Sequence, residues 1–125
     1  MAGDVGDVGG AGENGTNGTN GTSYRAFSRN DQTGTTYTMQ SSDFAGNVLV
    51  TFNNASAITV TVPSGLTAPE PCVVKQLGAG QVTFVASGTT FSYANGLKLY
   101  GQGSAAVLMP LTTANAYGFD GDTST

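Results

Sequence analysis

The sequence predicts an all-β fold: a small β-sandwich or jelly-roll-like domain that forms a trimer behind a collagen-like Gly-X-Y stalk. Glycine recurs at every third position over the first 23 residues. From residue 47 onward, short apolar segments recur about every ten residues with turn-forming residues between them. The chain therefore divides into residues 1–23, a stalk or docking segment; residues 24–46, a polar linker with one short strand; and residues 47–125, the all-β domain.

The N-terminal segment keeps its register without a miss, as GDV-GDV-GGA-GEN-GTN-GTN-GTS. A triple helix of polyproline-II-like chains needs this register, because every third residue faces a crowded axis where only glycine fits. The segment lacks proline, so its triplets need neighbouring chains that another domain holds together. A low-complexity linker and a single extended chain docked on a surface remain alternatives. The register glycines are Gly3, Gly6, Gly9, Gly12, Gly15, Gly18 and Gly21.

Residues 24–46 are polar, with aromatic residues at intervals. One short strand is predicted at residues 36–40. The rings are interpreted as packing anchors between subunits rather than as ligand contacts; they belong to Tyr24, Phe27, Tyr37 and Phe44.

The C-terminal domain is predicted to contain strands at 48–52, 57–62, 72–77, 82–86, 89–93, 97–100, 105–109 and 117–119. Residues 78–81 join two apolar segments and are predicted to form a hairpin. Apolar residues alternate with threonine at 58–62, so that strand should bury one face. Interleaved strands in a trimer are the alternative architecture. The side chains predicted to point inward, or into the trimer axis, are Ile58, Val60, Val62, Val82, Phe84, Leu97, Leu99 and Val107.

Composition argues against several classes of function. The net charge is −4 and the four basic residues are scattered, so no nucleic-acid partner is expected. Cys72 is the single cysteine and histidine is absent, which argues against an internal disulfide, a metal site and a catalytic triad. With few carboxylates as well, we expect neither an enzyme nor a bound cofactor. The sequence also shows no signal peptide and no apolar segment long enough to span a membrane.

Two short segments resemble sequence motifs of ligand-binding sites. Gly101-Gln-Gly103-Ser-Ala-Ala106 fits the dinucleotide fingerprint, but a true fingerprint opens a helix, so a turn between strands is predicted here. Asp120 and Asp122 offer two carboxylates, too few for a dedicated calcium site. The remaining candidates are aromatic residues interpreted either as glycan contacts or as interface packing: Tyr93, Tyr100 and Tyr117.

Four stretches have a familiar form: ITVTVPSGL at 58–66, QLGAGQVTF at 76–84, LKLYGQGSAAVLM at 97–109, and the ending YGFDGD at 117–122. Together, residues 57–122 resemble a recurring module of tailed-bacteriophage virion proteins. Members occur in fibres, tail proteins and head-decoration proteins, and some lie behind collagen-like repeats. They are typically non-enzymatic, and the resemblance supplies no catalytic residues.

The resemblance implies a structural protein of the virion surface, made in the host cytoplasm. We expect a homotrimeric capsid decoration protein or short head fibre, anchored through its N-terminal segment to the major capsid protein or another virion protein. The alternative is a tail-fibre or accessory adhesin module that binds a host-surface glycan. A weaker alternative is a tail or baseplate component whose N-terminus inserts into a larger protein.

Overall fold

The computed structural model describes residues 27–125, which form eleven strands and one short 3-10 helix. Over these residues, the prediction of an all-β fold is confirmed. The helix, Ser41–Phe44, lies between the second and third strands. The predicted stalk, residues 1–23, lies outside the described residues. In chain order β1–β11 span Ser28–Gln32, Thr36–Thr38, Val48–Phe52, Ile58–Pro63, Cys72–Gln76, Val82–Ser87, Thr90–Tyr93, Lys98–Leu99, Ala105–Pro110, Ala116–Gly121 and Thr123–Ser124.

Strands alternate between two sheets along the first half of the domain. β1, β3 and β5 pair in parallel in a six-stranded sheet of order β1-β3-β5-β9-β10-β7. β2, β4 and β6 pair in parallel in a five-stranded sheet of order β11-β8-β6-β4-β2. Each successive pair of strands therefore makes one coil of a β-solenoid-like arrangement. β9 and β8 then pair antiparallel with β5 and β6 and end the parallel stack.

This topology corrects the predicted jelly roll and the predicted hairpin at residues 78–81, because β5 and β6 lie in different sheets. The segment is a corner of the solenoid, stacked directly on the corner before it. A Cβ atom on Gly78 would lie 2.7 Å from the backbone nitrogen of Asn54, and one on Gly80 would overlap the carbonyl group of Ser56. Close approach between two backbones, and not turn geometry, is the reason for these glycines.

The core lies between the two sheets, where alternate residues of each strand meet. Most of the side chains predicted to point inward are buried, namely Ile58, Val60, Val62, Val82, Phe84 and Leu99. Leu97 is partly buried against the same core. Val107 does not point into this core, because β9 buries Ala106 and Leu108 and successive residues of a strand face opposite sides. Of the two predicted positions for Val107, inside the core or at a trimer axis, only the second is compatible with its outward direction.

Residues 28–46, predicted as a linker, form the first coil. β2 lies within the predicted segment 36–40, whereas β1 was not predicted because its sequence, SRNDQ, has no apolar residue. Its register with β3 stacks Ser28, Asn30 and Gln32 over the buried side chains of that strand. The core thus ends in a polar layer at the N-terminal end of the solenoid.

Candidate functional site

A buried carboxylate organises the polar end of the first coil. Asp43 is 2% exposed and accepts hydrogen bonds from the Tyr37 hydroxyl at 2.7 Å and the Asn30 side-chain amide at 2.9 Å. The backbone N–H of Gln40 donates a third bond to it at 2.9 Å. The Gln32 side-chain amide in turn donates to the side-chain oxygen Oδ1 of Asn30 at 2.7 Å. Because a buried charge is costly unless hydrogen-bonded, this network fixes the 3-10 helix against β1 and β2.

The same end contains an open pocket of about 500 Å³. Its walls include the exposed polar side chains of Arg29, Gln40 and Ser42, with Asn30 and Tyr37 deeper inside. This volume is in the usual range for small-molecule sites, but the lining is mostly polar. The pocket can therefore offer hydrogen bonds to a polar ligand.

Burial raises the pKa values of two ionisable groups near this network. Desolvation and the hydrogen bond to Asp43 raise the pKa of Tyr37 well above its ordinary value. Burial, assisted by the negative charge of Asp43, raises the pKa of the Cys72 thiol to about 12. Both groups therefore stay protonated at neutral pH, so neither acts there as a nucleophile or a base.

An exposed charged group lies on the outward side of β1. Arg29 and Asp31 form an ion pair at 3.1 Å, and both side chains are largely in solvent. The Thr51 hydroxyl donates to Asp31 at 2.7 Å, and this bond, together with Arg29, lowers the pKa of the carboxyl. The pair keeps the edge strand charged, which discourages strand addition by another chain.

The six-stranded sheet has a row of apolar side chains on its outward face. Leu49, Val73 and Val107 are cross-strand neighbours in β3, β5 and β9, and all three are half-buried. We call these three residues the apolar stripe. Phe27, 56% exposed, and Pro71 line a pocket of about 270 Å³ with the second and third members of the stripe. An exposed apolar surface of this kind marks a candidate interaction site.

The tyrosines proposed as glycan or interface contacts do not form one surface. Tyr93 is 51% exposed in β7 of the six-stranded sheet, and Tyr100 is 74% exposed after β8 of the five-stranded sheet. Tyr117 is 3% exposed and packs on Phe44 within the subunit's own core, with ring centroids 5.4 Å apart. The prediction that Tyr117 lies at a surface is therefore wrong.

The first motif-like pattern falls in a turn, whereas the two aspartates lie at the end of a strand and just after it. Residues Gly101–Ser104 form the predicted turn between β8 and β9. A hydrogen bond from the Ser104 N–H to the Gly101 carbonyl at 3.0 Å closes this turn. Asp120 and Asp122 lie at and after the end of β10. Within residues 27–125, no group of three or more Cys, Asp or Glu side chains is placed to hold a metal ion. That part of the chain also contains no helix with the length and apolar character needed to cross a membrane.

Comparison with known proteins finds no family model, no curated relative and no solved structure that matches this chain. The geometry of the described residues and the sequence of the N-terminal segment are therefore the basis for the functional argument.

The sequence analysis predicted neither the polar pocket beside Asp43 nor the apolar stripe. Nothing in the sequence linked Asp43 to Asn30. The alternation of polar residues at 28, 30 and 32 was the available signal, because it has the period of a strand without the apolar face. The apolar stripe was missed because its three members come from three separate strands.

Proposed function

We propose that this protein is a non-enzymatic structural protein of a tailed-phage virion: a homotrimeric capsid decoration protein or short head fibre at the virion surface. Its N-terminal segment attaches it to the major capsid protein or to another virion protein. The phage assignment rests on the sequence resemblance, and the trimer rests on the glycine register.

The supporting observation is where the β domain begins. β1 starts at Ser28, shortly after the glycine-rich residues 1–23 of the sequence, and is the edge strand of the six-stranded sheet. β1 therefore lies at one end of the stack of parallel coils, and the described part of the β domain begins at that end. This order suits a projecting body attached through its N-terminal end.

The oligomeric state is the first test. Sedimentation equilibrium of the full chain at micromolar concentration should give three times the monomer mass of 12.6 kDa. A monomer under these conditions would contradict the proposal. Cryo-EM of virions made with and without the protein should then differ by threefold projections on the head.

A second function, glycan binding by a tail-fibre or accessory adhesin, is favoured by the polar pocket beside Asp43. Arg29, Gln40 and Ser42 supply hydrogen-bonding groups at its walls. NMR titration with oligosaccharides from the host surface should then shift signals of these residues, and Gln40→Ala should weaken binding. Density at the tail tip instead of the head would support this alternative.

A further inference from the structure

The two outward faces of the solenoid differ in chemistry. On the five-stranded sheet, the register aligns Thr36, Thr59 and Thr83 in one row that ends at Lys98. On the six-stranded sheet, the corresponding row is the apolar stripe. A threonine row is well solvated, whereas half-buried leucine and valine side chains gain free energy when a partner covers them. The exposed Val85 of the five-stranded sheet pairs with Thr61 and belongs to no apolar row. The six-stranded sheet is therefore the face with a continuous apolar row for a partner to cover.

The stripe runs across the strands, along the solenoid axis. Cross-strand register extends it at both ends, to Arg29 in β1 and to Asp120 in β10. Four strand spacings of ~4.8 Å make this row about 19 Å long. A partner buries the whole row only if its own contact surface runs in the same direction.

We propose that two further copies of this chain cover the apolar stripe, so that three stripes face one another around a threefold axis parallel to the solenoid axis. This inference rests on the proposed trimer and adds its interface. A parallel axis buries all three apolar residues of every copy at matching levels. If the axis were perpendicular to the stripe, the copies would meet at only one point along it, and the apolar residues away from that point would stay exposed.

The chain that precedes the described residues supports this choice of occupant. Residue 27 lies beside the stripe, in the pocket that Val73 and Val107 line, and 26 residues precede it. Three parallel copies place all three N-terminal segments at the same end of the assembly. A triple helix with glycine at every third residue requires this arrangement, because its chains run parallel and in close register.

Charge at the ends of the row gives a test of direction. Parallel copies bring the three Asp120 carboxylates to one level, where they repel one another, while Arg29 is already paired with Asp31 at 3.1 Å. Two antiparallel copies related by a twofold axis would instead place Arg29 of one chain opposite Asp120 of the other. The two arrangements therefore respond in opposite ways to removal of the Asp120 charge.

The first experiment compares Val107→Glu with Val85→Glu by sedimentation equilibrium. Val85 is the matched control, because it is a 37% exposed valine on the outward face of the other sheet. We expect Val107→Glu to be monomeric with an unchanged β-type circular dichroism spectrum, and Val85→Glu to be trimeric. A trimeric Val107→Glu protein would overturn the interface while leaving the trimer intact. A monomeric wild type would instead contradict the proposed function.

Two further variants test the interface even if Val107→Glu does not fold. Under mild oxidation, Val107→Cys should form disulfide-linked dimers on a denaturing gel and Val85→Cys should not, since the native Cys72 is buried. Equal cross-linking of the two would overturn the proposal. Asp120→Asn should lower the dissociation constant of the trimer; a higher dissociation constant, together with a dimer mass, would replace the threefold packing with the antiparallel pair.

Discussion

At the scale of single residues, two aspartates in the first coil have opposite environments. Asp43 is buried and accepts three hydrogen bonds, whereas Asp31 is in solvent beside Arg29. Replacing Asp43 by asparagine places an amide donor among groups that also donate. The loss of a buried, fully satisfied acceptor should lower the free energy of unfolding by ~1–3 kcal/mol.

Asp31→Asn is the matched control for Asp43→Asn, because it makes the same chemical change at an exposed site on the neighbouring strand. Its cost should be clearly smaller than that of Asp43→Asn, because exposed ion pairs are screened by solvent and contribute little to stability. Urea unfolding at pH 7 and one fixed protein concentration measures both variants. Equal destabilisation by the two would show that Asp43 does not organise the polar end of the coil.

At the scale of elements, the corners determine how the coils stack. Gly80 lies where a Cβ atom would overlap the Ser56 carbonyl, and its N–H donates to the Asn54 carbonyl at 2.8 Å. Gly80→Ala must therefore separate two corners of backbone. We expect a loss of stability at the upper end of the ~1–3 kcal/mol that overpacking costs, or more.

Gly101→Ala is the control for the corner, because a Cβ atom at Gly101 meets nothing within 4 Å. It should be neutral, or stabilising by about 0.4–1 kcal/mol through the unfolded chain. Thermal unfolding followed by circular dichroism compares the two. If Gly80→Ala and Gly101→Ala unfold at the same temperature, the corners are not in close contact in solution.

The elements also show how far sequence alone reaches. The spacing of apolar segments between turn residues located β3 to β10, and alternation with threonine located the buried face of β4, because the pleat imposes a period of two on a strand. It does not reveal which strands are neighbours. Gly78 and Gly80 match the sequence pattern of a hairpin turn, yet they are needed because two backbones approach closely. Glycine occurs in both situations, so the sequence alone does not distinguish them. β1 and Asp43 were missed because a polar end layer lacks the apolar signal altogether.

At the scale of the whole molecule, the proposals link a glycine register in the N-terminal segment to a stripe on the β domain. Both require three parallel chains around one axis. In the proposed trimer, the stripe would hold the domains together, and the high local concentration of the N-terminal segments would then favour a helix that contains no proline. The register and the stripe therefore make separate predictions, and a variant in one region should spare the other.

Gly15→Val tests the register, and Thr16→Val is its control because it introduces the same side chain one position out of register. In a triple helix, valine at position 15 meets two copies of itself at the axis, where there is no room, while valine at position 16 points outward. Limited proteolysis of the trimer, read by mass spectrometry, should show new cleavage near residue 15 only in Gly15→Val. Both variants should remain trimeric and keep the melting behaviour of the β domain. Rapid cleavage of the wild type itself would indicate a linker. Protection in all three proteins would indicate a single docked chain that does not depend on axial glycines.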